Sequence, residues 1–305
     1  MVRSYKVHFW SWPSELRRNG ITGINSRNID LIFALNPRSN YALVDNKALT
    51  KKLCESRHIP TPETYALIQR FGDIKRIIDL LFGLSSFVIK PTRGAGGRGV
   101  LAIAHRSGKK FKNTKGELFS LEQIRYHIST ILSGLYSLSG HPDQAMIEKL
   151  IEPHPAFKGL TVAGTPDIRI VIYKTTPIMS MLRLPTRASQ GRANLHQGAA
   201  GVGIDLEKGI TYGGVWRDRV FDVHPDTGAP LGGVTIPMWK DALTIATQLS
   251  LAIGLQYVGV DVLLDAEDGP LILEANARPG LSIQIANRCG LWQKLNEINL
   301  KQGIS

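Results

Sequence analysis

The sequence predicts an α+β fold, because its apolar segments pair as hairpins beside helices and lack the regular strand–helix–strand order of a parallel sheet. Residues 257–265 and 270–276 are apolar runs joined by a short polar turn. Residues 167–173 and 177–184 repeat this hairpin pattern, and residues 238–254 have the spacing of an amphipathic helix. Antiparallel hairpins beside a long helix are typical of an α+β protein.

The composition is that of a globular chain with a strong positive charge. Hydrophobic residues make up 43% of the 305 positions, which excludes disorder over most of the length. The 37 Lys and Arg residues exceed the 25 Asp and Glu residues and give a net charge of +12. This excess attracts anions such as nucleotides, acidic peptides, nucleic acid or acidic lipid. The net charge alone does not indicate which of these the protein binds.

Cysteine use and hydropathy predict a cytoplasmic protein. Cys54 and Cys289 are isolated and form neither a CxxC pair nor a zinc pattern, as expected in a reducing compartment. The N-terminus lacks the uninterrupted apolar core of a signal peptide. No apolar run reaches the roughly 20 residues that span a bilayer, so we expect no transmembrane segment.

A strand, a glycine-rich loop and a second strand follow one another in the first third of the chain. Residues 86–90 are β-rich and end in Lys90, residues 93–99 form the loop, and residues 100–104 are apolar again. Glycines let backbone N–H groups approach phosphate oxygens, and a lysine at a strand end suits phosphate. A plain glycine-rich hairpin turn is the alternative. No helix follows the loop, so it is neither a Walker nor a Rossmann motif.

The remaining predicted elements have weaker signals. They comprise helices over residues 47–57, 72–83 and 121–135, a strand over residues 144–151, a polar excursion over residues 105–120, a polar loop over residues 185–200 and an irregular segment over residues 1–44. Asp45 or Asn46 is the expected N-cap of the helix over residues 47–57.

The C-terminal hairpin carries three oxygen-bearing side chains in otherwise apolar strands. Glu274 and Asn276 lie two residues apart, so strand alternation puts them on one face, and antiparallel pairing brings Asp261 beside them. Buried carboxylates without partners are costly, and Mg²⁺ takes oxygen ligands in proteins. The pattern predicts a magnesium site, and the alternative is a hairpin whose charges are solvated.

Residues 146–152 form an apolar strand that ends in charged residues. Main-chain groups at such a strand end can present donors and acceptors to a purine edge, with Glu148 as an acceptor for the amino group. A plain amphipathic strand end explains the same pattern. Only the other motifs favour a nucleotide here.

The order of these motifs resembles that of an ATP-grasp ligase. The segments that carry the resemblance are Lys47, Lys90-Pro91, the glycine loop, Glu148-Lys149-Leu150, Asp167-Ile168-Arg169, Asn194-Leu195-His196-Gln197-Gly198, Gly259-Val260-Asp261 and Glu274-Ala275-Asn276-Ala277-Arg278-Pro279-Gly280. The subgroup that the chain resembles is the RimK-type α-L-glutamate ligases, with their α-L-glutamate ligase-like relatives. The resemblance covers about residues 45–290.

The resemblance implies an ATP-grasp fold, in which two α+β subdomains grip ATP. A shortened N-terminal segment would span residues 1–45. A subdomain with a glycine-rich lid would follow over residues 46–151. The C-terminal subdomain, with the metal site, would span residues 152–305.

The resemblance also implies a role for each matching residue. Those that would bind ATP are Lys47, Lys90, Gly96, Gly97, Gly99, Glu148, Lys149 and Leu150, with the glycines as a lid over the phosphates. Those that would hold two Mg²⁺ ions, with Mn²⁺ as the alternative, are Asp261, Glu274 and Asn276. Those that would handle the acyl phosphate and the substrate carboxylate are Arg183, Arg192 and Asn194.

The implied activity is ATP-dependent joining of a carboxylate to an amine through an acyl phosphate, with glutamate or a similar amino acid added to an acceptor. A free amino acid or an acidic peptide or protein tail is the expected acceptor. The alternatives are an ATP-grasp enzyme that activates or phosphorylates a substrate without forming an amide, and a nucleotide-binding regulatory homologue. Specific nucleic-acid binding is not expected, because the basic residues are spread along the chain.

The sequence departs from the RimK pattern mainly before Lys47, where the segment is short. Water must be kept from an acyl phosphate, so something else has to close the cleft. The N-terminal segment around Trp10 and Trp12 is one candidate, and a second subunit or a partner protein is the alternative; we expect a homo-oligomer. Residues 152–166 lack a clear ribose-binding acid, and His196 is either a general base or a structural loop residue.

Overall fold

The computed structural model describes residues 13–94, 96–137, 140–162, 164–217 and 219–301. Trp10 and Trp12, which the sequence assigns to a segment closing the cleft, lie outside these residues. Two antiparallel β-sheets organise the described chain, one of six strands and one of seven. We call them the first sheet and the second sheet.

The strand order is β1-β6-β2-β3-β4-β5 in the first sheet and β11-β10-β9-β8-β7-β12-β13 in the second. The strands of the first sheet are β1 (Thr64–Ile68), β2 (Phe87–Pro91), β3 (Leu101–Ser107), β4 (Lys110–Asn113), β5 (Leu118–Ser120) and β6 (Ala145–Glu148). Those of the second are β7 (Asp167–Tyr173), β8 (Thr176–Leu184), β9 (Ala200–Ile204), β10 (Thr211–Trp216), β11 (Arg219–Phe221), β12 (Tyr257–Asp265) and β13 (Gly269–Asn276).

Helices cover the sheets and connect them. The α-helices of the described chain are α1 (Pro13–Arg18), α2 (Ile24–Ser26), α3 (Ala42–Asp45), α4 (Lys47–Ser56), α5 (Ile78–Gly83), α6 (Leu121–Leu132), α7 (Trp239–Ile253), α8 (Ser282–Ala286) and α9 (Leu291–Lys301). A π-helix spans Arg27–Phe33, and 3₁₀ turns span Arg38–Asn40, Phe71–Ile77, Pro155–Phe157 and Leu195–Gln197. None of the described helices is long and apolar enough to cross a membrane.

The first sheet packs on α6 through a regular apolar face. Ile124, Ile128 and Ile131 recur at helical spacing and are fully buried in one core with the sheet. Ser120 and Gln123 form a capping box that begins the helix. The local sequence therefore sets both the start of α6 and the face that it buries.

The predicted polar excursion over residues 105–120 is wrong, because this stretch forms β4, β5 and the end of β3. Phe111 in β4 is fully buried, and its ring lies 5.7 Å from Phe82 and 5.9 Å from Phe87, measured between centroids. Burial alternates along β4, so its lysines stay on the other face. One buried aromatic residue among lysines is too weak a pattern to predict a strand.

The second sheet presents one face to α7 and the opposite face to a cleft. Val258, Val260 and Val262 of β12 share a core with Ala242 and Leu249 of α7. The residues between them point the other way, because side chains alternate along a strand. Both predicted hairpins of this sheet are confirmed, and the predicted helix over residues 238–254 is α7.

The described part of the N-terminal segment packs on the second sheet. Leu31 and Ile32 are buried in a core that also contains Tyr257 at the start of β12. The Asn36 amide donates to the carbonyl oxygen of Tyr257 at 2.7 Å and accepts from its N–H at 3.0 Å. These short helical turns form no sheet of their own within residues 13–45.

Candidate active site

A cleft of about 800 Å³ is lined by residues of both sheets, and the sequence-predicted site residues meet in it. Those that line it are Lys47, Lys90, Gly96, Gly97, Glu148, Lys149, Leu150, Arg183, Arg192, Asn194, Asp261, Glu274 and Asn276. Gly99 is the predicted residue that does not line the cleft. Segments from distant parts of the sequence therefore converge on one space.

Charged side chains cross the cleft face of the second sheet in one row over four neighbouring strands. The register pairs Arg183 of β8 with Asp167 of β7, Arg169 of β7 with Asp261 of β12, and Asp261 with Glu274 of β13. Directly paired residues of an antiparallel sheet lie on the same face. Opposite charges are therefore neighbours in the first two pairs, whereas Asp261 and Glu274 are two acids side by side.

Asp261 is fully buried and is held by two arginines. Arg169 donates to both of its carboxylate oxygens, with Nη2 2.8 Å from Oδ2, and Arg183 Nη2 lies 2.7 Å from the same oxygen. Arg183 also donates from Nε to Asp167. These ion pairs offset part of the cost of burying the carboxylates. The predicted site residues omit Asp167 and Arg169, although their alternation with Ile168 in a buried strand is a readable signal.

The buried charges shift the pKa values of the acidic groups in opposite directions. Burial, together with the charge of Asp261, raises the pKa of Asp167 to about 7 against the influence of its paired arginine. Burial also opposes ionisation of Glu274, but the cations, Lys47 first and Arg169 next, outweigh it and lower the pKa of Glu274 to about 2. Glu274 is therefore a carboxylate at neutral pH.

Lys47 connects the second sheet to the glycine loop. Its Nζ lies 3.1 Å from Glu274 Oε2 and donates to the carbonyl oxygen of Gly94 at 2.7 Å. Asn276 Nδ2 lies 3.3 Å from Glu274 Oε1, so both oxygens of this carboxylate have contacts. The helix α4 begins at Lys47, because the Asn46 side chain accepts from backbone N–H groups of its first turn.

A buried carboxylate between two lysines lies at the first sheet. Glu148 in β6 is 1% exposed; Lys90 Nζ lies 2.5 Å from its Oε2, and Lys51 of α4 pairs with its Oε1. Lys51 also donates to Thr64 Oγ1 at 2.7 Å. Burial lowers the pKa of Lys51, and the charge of Lys90 acts in the same direction. The predicted site residues omit Lys51, which lies one helical turn after Lys47.

Lys149 and Leu150 have different surroundings at the end of β6. Lys149 Nζ lies 2.6 Å from Asp268 in the turn between β12 and β13. The backbone N–H of Lys149 donates to the carbonyl oxygen of Glu63. The Leu150 N–H makes no hydrogen bond within the described part of the chain. Lys149 thus anchors the first sheet to the β12–β13 turn, and the Leu150 amide is available to a ligand.

The predicted loop glycines have backbone conformations that other residues rarely adopt. Their φ angles are +63° at Gly96, +71° at Gly97 and +73° at Gly99. A Cβ on Gly99 would lie 2.5 Å from the Tyr136 ring, and the Gly99 carbonyl oxygen lies 3.0 Å from His127 Nε2. Gly99 therefore fixes the end of the loop on α6, whereas Gly96 and Gly97 line the cleft.

The loop after β8 places Arg192 and Asn194 beside the glycine loop. Both are half-buried, and a Cβ on Gly97 would lie 3.4 Å from the Arg192 side chain. Asn194 Oδ1 accepts from the His196 N–H at 3.0 Å and so caps the 3₁₀ turn that follows. The His196 side chain is exposed and forms no hydrogen bond with another described residue. The general-base hypothesis for His196 therefore has no support from hydrogen bonding.

A family model decides where this chain belongs. The model for sugar-transfer associated ATP-grasp proteins matches residues 26–300. The chain is a member of the sugar-transfer associated ATP-grasp family. The predicted ATP-grasp superfamily and α+β fold are therefore confirmed, whereas the RimK-type subgroup has no support from the family that matches.

Solved structures of ATP-grasp enzymes resemble this family member at low sequence identity. D-alanyl-alanine synthetase A from Vibrio cholerae has 12% identity and a TM-score of 0.52, over 87% of this chain and 66% of that one. D-alanine–D-alanine ligase from Bacillus anthracis complexed with ATP has 12% identity and a TM-score of 0.49, over 93% and 74%. The ATP-grasp ligase PsnB complexed with minimal precursor has 12% identity and a TM-score of 0.47, over 88% and 63%.

Among these structures, the likeness to D-alanyl-alanine synthetase A, with a TM-score of 0.52, supports the fold and nothing further. The chain spans less than two thirds of the length of PsnB, and its identity to each solved structure is close to 12%. At that identity a structural likeness shows the fold alone. No curated protein sequence matches the chain.

The Mg²⁺ that the ATP-grasp fold implies has candidate oxygen donors in the charged row. Asp261, Glu274 and Asn276 supply two carboxylates and an amide, which are ligand types that Mg²⁺ takes. In this structure Lys47 balances Glu274, and two arginines balance Asp261. Within the described residues no group of three His, Cys, Asp or Glu side chains forms a metal cluster. A metal ion at these carboxylates would therefore have to displace Lys47 from Glu274 or the arginines from Asp261.

Proposed function

We propose that this family member joins a carboxylate to an amine at the expense of ATP, through an acyl phosphate. The observation that carries the proposal is the row of paired charges on β8, β7, β12 and β13, which lines the same cleft as the glycine loop and the buried Lys90. Burying so many ions costs stability and is typical of functional sites.

The first sheet supplies the nucleotide side of the proposed site. The cluster of Lys51, Glu148 and Lys90 has one positive charge in excess, which favours an anion such as ATP. The loop glycines Gly96 and Gly97 would bring backbone N–H groups to the phosphates. The Leu150 amide has the hydrogen-bonding capacity to meet the adenine edge.

The second sheet supplies the metal side. We propose that Asp261, Glu274 and Asn276 bind Mg²⁺. We expect two ions, and Mn²⁺ is the alternative metal. A bound Mg²⁺ supplies positive charge beside the phosphates. The low pKa of Glu274 keeps this ligand ionised over the whole physiological pH range. Arg169 and Arg183 hold Asp261 in a fixed orientation.

The proposed reaction has two steps, phosphorylation of the carboxylate and displacement of the phosphate by the amine. A substrate carboxylate oxygen attacks the γ-phosphorus of ATP, the bond to the β–γ bridging oxygen breaks, and ADP leaves. An amine nitrogen then attacks the carbonyl carbon of the acyl phosphate, a C–N bond forms, inorganic phosphate leaves, and the nitrogen releases its proton to water. These steps require positioning and charge stabilisation and no covalent enzyme nucleophile.

Arg192 is the group that we assign to the acyl phosphate. Its guanidinium has no ion-pair partner among the described residues, whereas Arg183 is committed to Asp167 and Asp261. A planar guanidinium matches phosphate and carboxylate with two parallel hydrogen bonds. Arg183 then acts by positioning Asp261, and Asn194 by shaping the loop that carries Arg192.

The acid and the amine remain to be identified by experiment. Amino acids and acidic peptides are one class to test, because the chain carries a charge of +12. The family description associates these proteins with sugar transfer, which adds uronic acids and amino sugars as a second class. Oligomerisation also stays a prediction, and light scattering at the assay concentration tests it.

The test is ADP release by the purified chain with Mg-ATP across this panel, followed by mass spectrometry of the products. The proposal expects a product whose mass is the sum of the two substrates minus water. A phosphorylated product without an amide would instead support a substrate-activating enzyme. Nucleotide binding without turnover on any substrate would support the regulatory alternative, and absence of nucleotide binding would overturn all three.

A further inference from the structure

One stretch of the first sheet carries most of the uncompensated positive charge. Basic residues occur along the whole chain, but no Asp or Glu lies between Asp79 and Glu117. Residues 93–115 of this stretch hold more than half of the net charge of +12. Their cations are Arg93, Arg98, Arg106, Lys109, Lys110, Lys112 and Lys115. None of these cations forms an ion pair with another described residue. An ordinary solvated surface mixes both signs of charge, so this concentration of one sign favours a partner of opposite charge.

The face of the first sheet that lines the cleft continues beyond the cleft over β4. Ile103 of β3 and Phe111 of β4 are buried in the core that the sheet shares with α6. Ala102, the neighbour of Ile103, lines the cleft on the opposite face. Side chains alternate along a strand, so Lys110 and Lys112 also lie on the face opposite to Phe111. These two lysines therefore extend the cleft face without lining the cleft itself.

The turn between β4 and β5 connects this surface to the cleft. Lys115 in the turn is exposed and lines the cleft. A Cβ on Gly116 would lie 3.7 Å from Lys112 Cε, so the Lys112 side chain lies against the same turn. His105 of β3 pairs directly with Lys112 and is exposed on the same face. We call the surface formed by His105, Lys110, Lys112 and Lys115 the basic face.

The surroundings of the basic face favour a peptide over other polyanions. Leu118 of β5 pairs directly with Lys112 and is 53% exposed, and Val100, at the cleft, is 47% exposed. A peptide can cover both with apolar side chains of its own. Phe111 and Phe119 are buried or half-buried, so residues 96–120 present no exposed Phe, Tyr or Trp on which a nucleic-acid base could stack.

We propose that the basic face docks an acidic polypeptide segment, and that this segment continues into the cleft as the substrate of the ligation proposed above. Carboxylates at every second residue of an extended peptide repeat about every 7 Å, which is also the spacing of Lys110 and Lys112 along β4. The role of the segment as a substrate rests on the proposed function, whereas its binding to the basic face does not.

Fluorescence anisotropy measures the binding directly. The probe is a fluorescein-labelled, glutamate-rich peptide of about eight residues with one leucine, long enough to reach from Lys115 past Lys110. The competitors are unlabelled oligogalacturonate, single-stranded DNA and phosphatidylserine vesicles, each at the same concentration of charge as the peptide. The proposal expects saturable binding of the peptide and weaker binding of all three competitors.

The double variant Lys110→Ala/Lys112→Ala should raise the dissociation constant of the peptide about fivefold or more, the effect of losing two exposed ion pairs. The affinity for a non-hydrolysable ATP analogue should stay unchanged, because neither lysine lines the cleft, and this measurement also verifies the fold. Lys208→Ala/Lys240→Ala is the matched control, since it removes two exposed lysines outside the first sheet. It should change the peptide constant by less than about twofold, because salt screens distant charges.

Three results would overturn the docking assignment. They are no saturable binding of the peptide, an equal loss in the two double variants, and a competitor that binds as tightly as the peptide. Calorimetry of the wild type with the ATP analogue separates these outcomes from failure of the proposed function. Nucleotide binding without peptide binding removes the docking assignment alone, whereas peptide binding at the basic face without nucleotide binding removes the ligase proposal alone.

Discussion

Lys47 at the start of α4 and Glu274 in β13 form an ion pair in the cleft, with Nζ 3.1 Å from Oε2. The same ammonium group donates to the carbonyl oxygen of Gly94, at the entrance of the glycine loop. A metal ion at Glu274 would compete with Lys47 for the carboxylate. The contact therefore couples the charge at the proposed metal site to the position of the loop.

Replacing Glu274 with Gln should reduce turnover at least about 100-fold while the fold stays intact, because the change removes the charge of a proposed metal ligand at almost constant volume. ADP release measures the rate, and thermal unfolding monitors the fold. Glu267→Gln is the control, since Glu267 lies exposed in the β12–β13 turn. Wild-type activity in the Glu274 variant would exclude Glu274 from the chemistry.

Replacing Lys90 with Ala should weaken binding of a non-hydrolysable ATP analogue by about tenfold or more, because one cation is lost from the phosphate side of the cleft. Calorimetry gives the dissociation constant. Lys52→Ala is matched in residue type and lies exposed on α4, so it should leave binding unchanged. An unchanged constant in the Lys90 variant would remove Lys90 from the nucleotide site.

Replacing Lys51 with Met tests the buried cluster itself. The change leaves Glu148 paired with Lys90, so no net charge is stranded, but it removes the partner of Glu148 Oε1. A buried acceptor left without a partner typically costs about 1–3 kcal/mol, so the free energy of unfolding in urea should fall by about this amount. Lys52→Met, at an exposed position, should change it by less than about 0.5 kcal/mol. Equal stability of the two variants would show that Lys51 contributes little to the fold.

The sequence predicted four of the seven strands of the second sheet, β7, β8, β12 and β13, because their apolar patterns are long and strong. The hairpin itself was predicted, but the direct pairing of Asp261 with Glu274 depends on a β-bulge: the register near the turn, where Val262 pairs with Ile272, would otherwise put Asp261 opposite Leu273. Most of the proposed site follows from that hairpin and from the glycine loop. The position of a residue within a strand sets its face, and the face decides whether it can reach the cleft.

The counter-charges could not be predicted in the same way. Arg169 contacts Asp261 from the neighbouring strand β7, and Lys51 reaches Glu148 from a helix that packs beside the first sheet. Such pairings depend on tertiary packing, which local periodicity does not contain. The ion pair of Lys149 with Asp268 in the β12–β13 turn is also a tertiary contact, so local sequence patterns do not predict it.

Replacing Arg192 with Lys should lower the rate of ADP release more than it lowers the affinity for ATP. Lysine keeps the positive charge and loses the planar fork that grips an acyl phosphate. Steady-state rates and calorimetry with the ATP analogue measure the two effects separately. Arg187→Lys is the control, since Arg187 is an exposed arginine that is not among the residues lining the cleft. A parallel fall in rate and affinity would make Arg192 a nucleotide-binding residue.

The raised pKa of Asp167 predicts how stability depends on pH. The folded state holds this proton up to a pKa of about 7, whereas the ordinary value is 3.8. Between these values the folded state binds more protons than the unfolded state, so the free energy of unfolding should decrease as the pH rises. The contribution of Asp167 is complete below pH 3.8 and is lost as the pH passes about 7.

Urea unfolding from pH 5 to pH 8 checks this prediction. In Asp167→Asn the side chain cannot ionise, so the decrease of the unfolding free energy over this range should be smaller than in the wild type. Asp222→Asn is the control, because the Asp222 side chain is 88% exposed and its removal should leave the pH dependence unchanged. If the wild type and Asp167→Asn had parallel pH profiles, Asp167 would ionise at its ordinary pKa. Its ion pair with Arg183 would then outweigh the cost of burial.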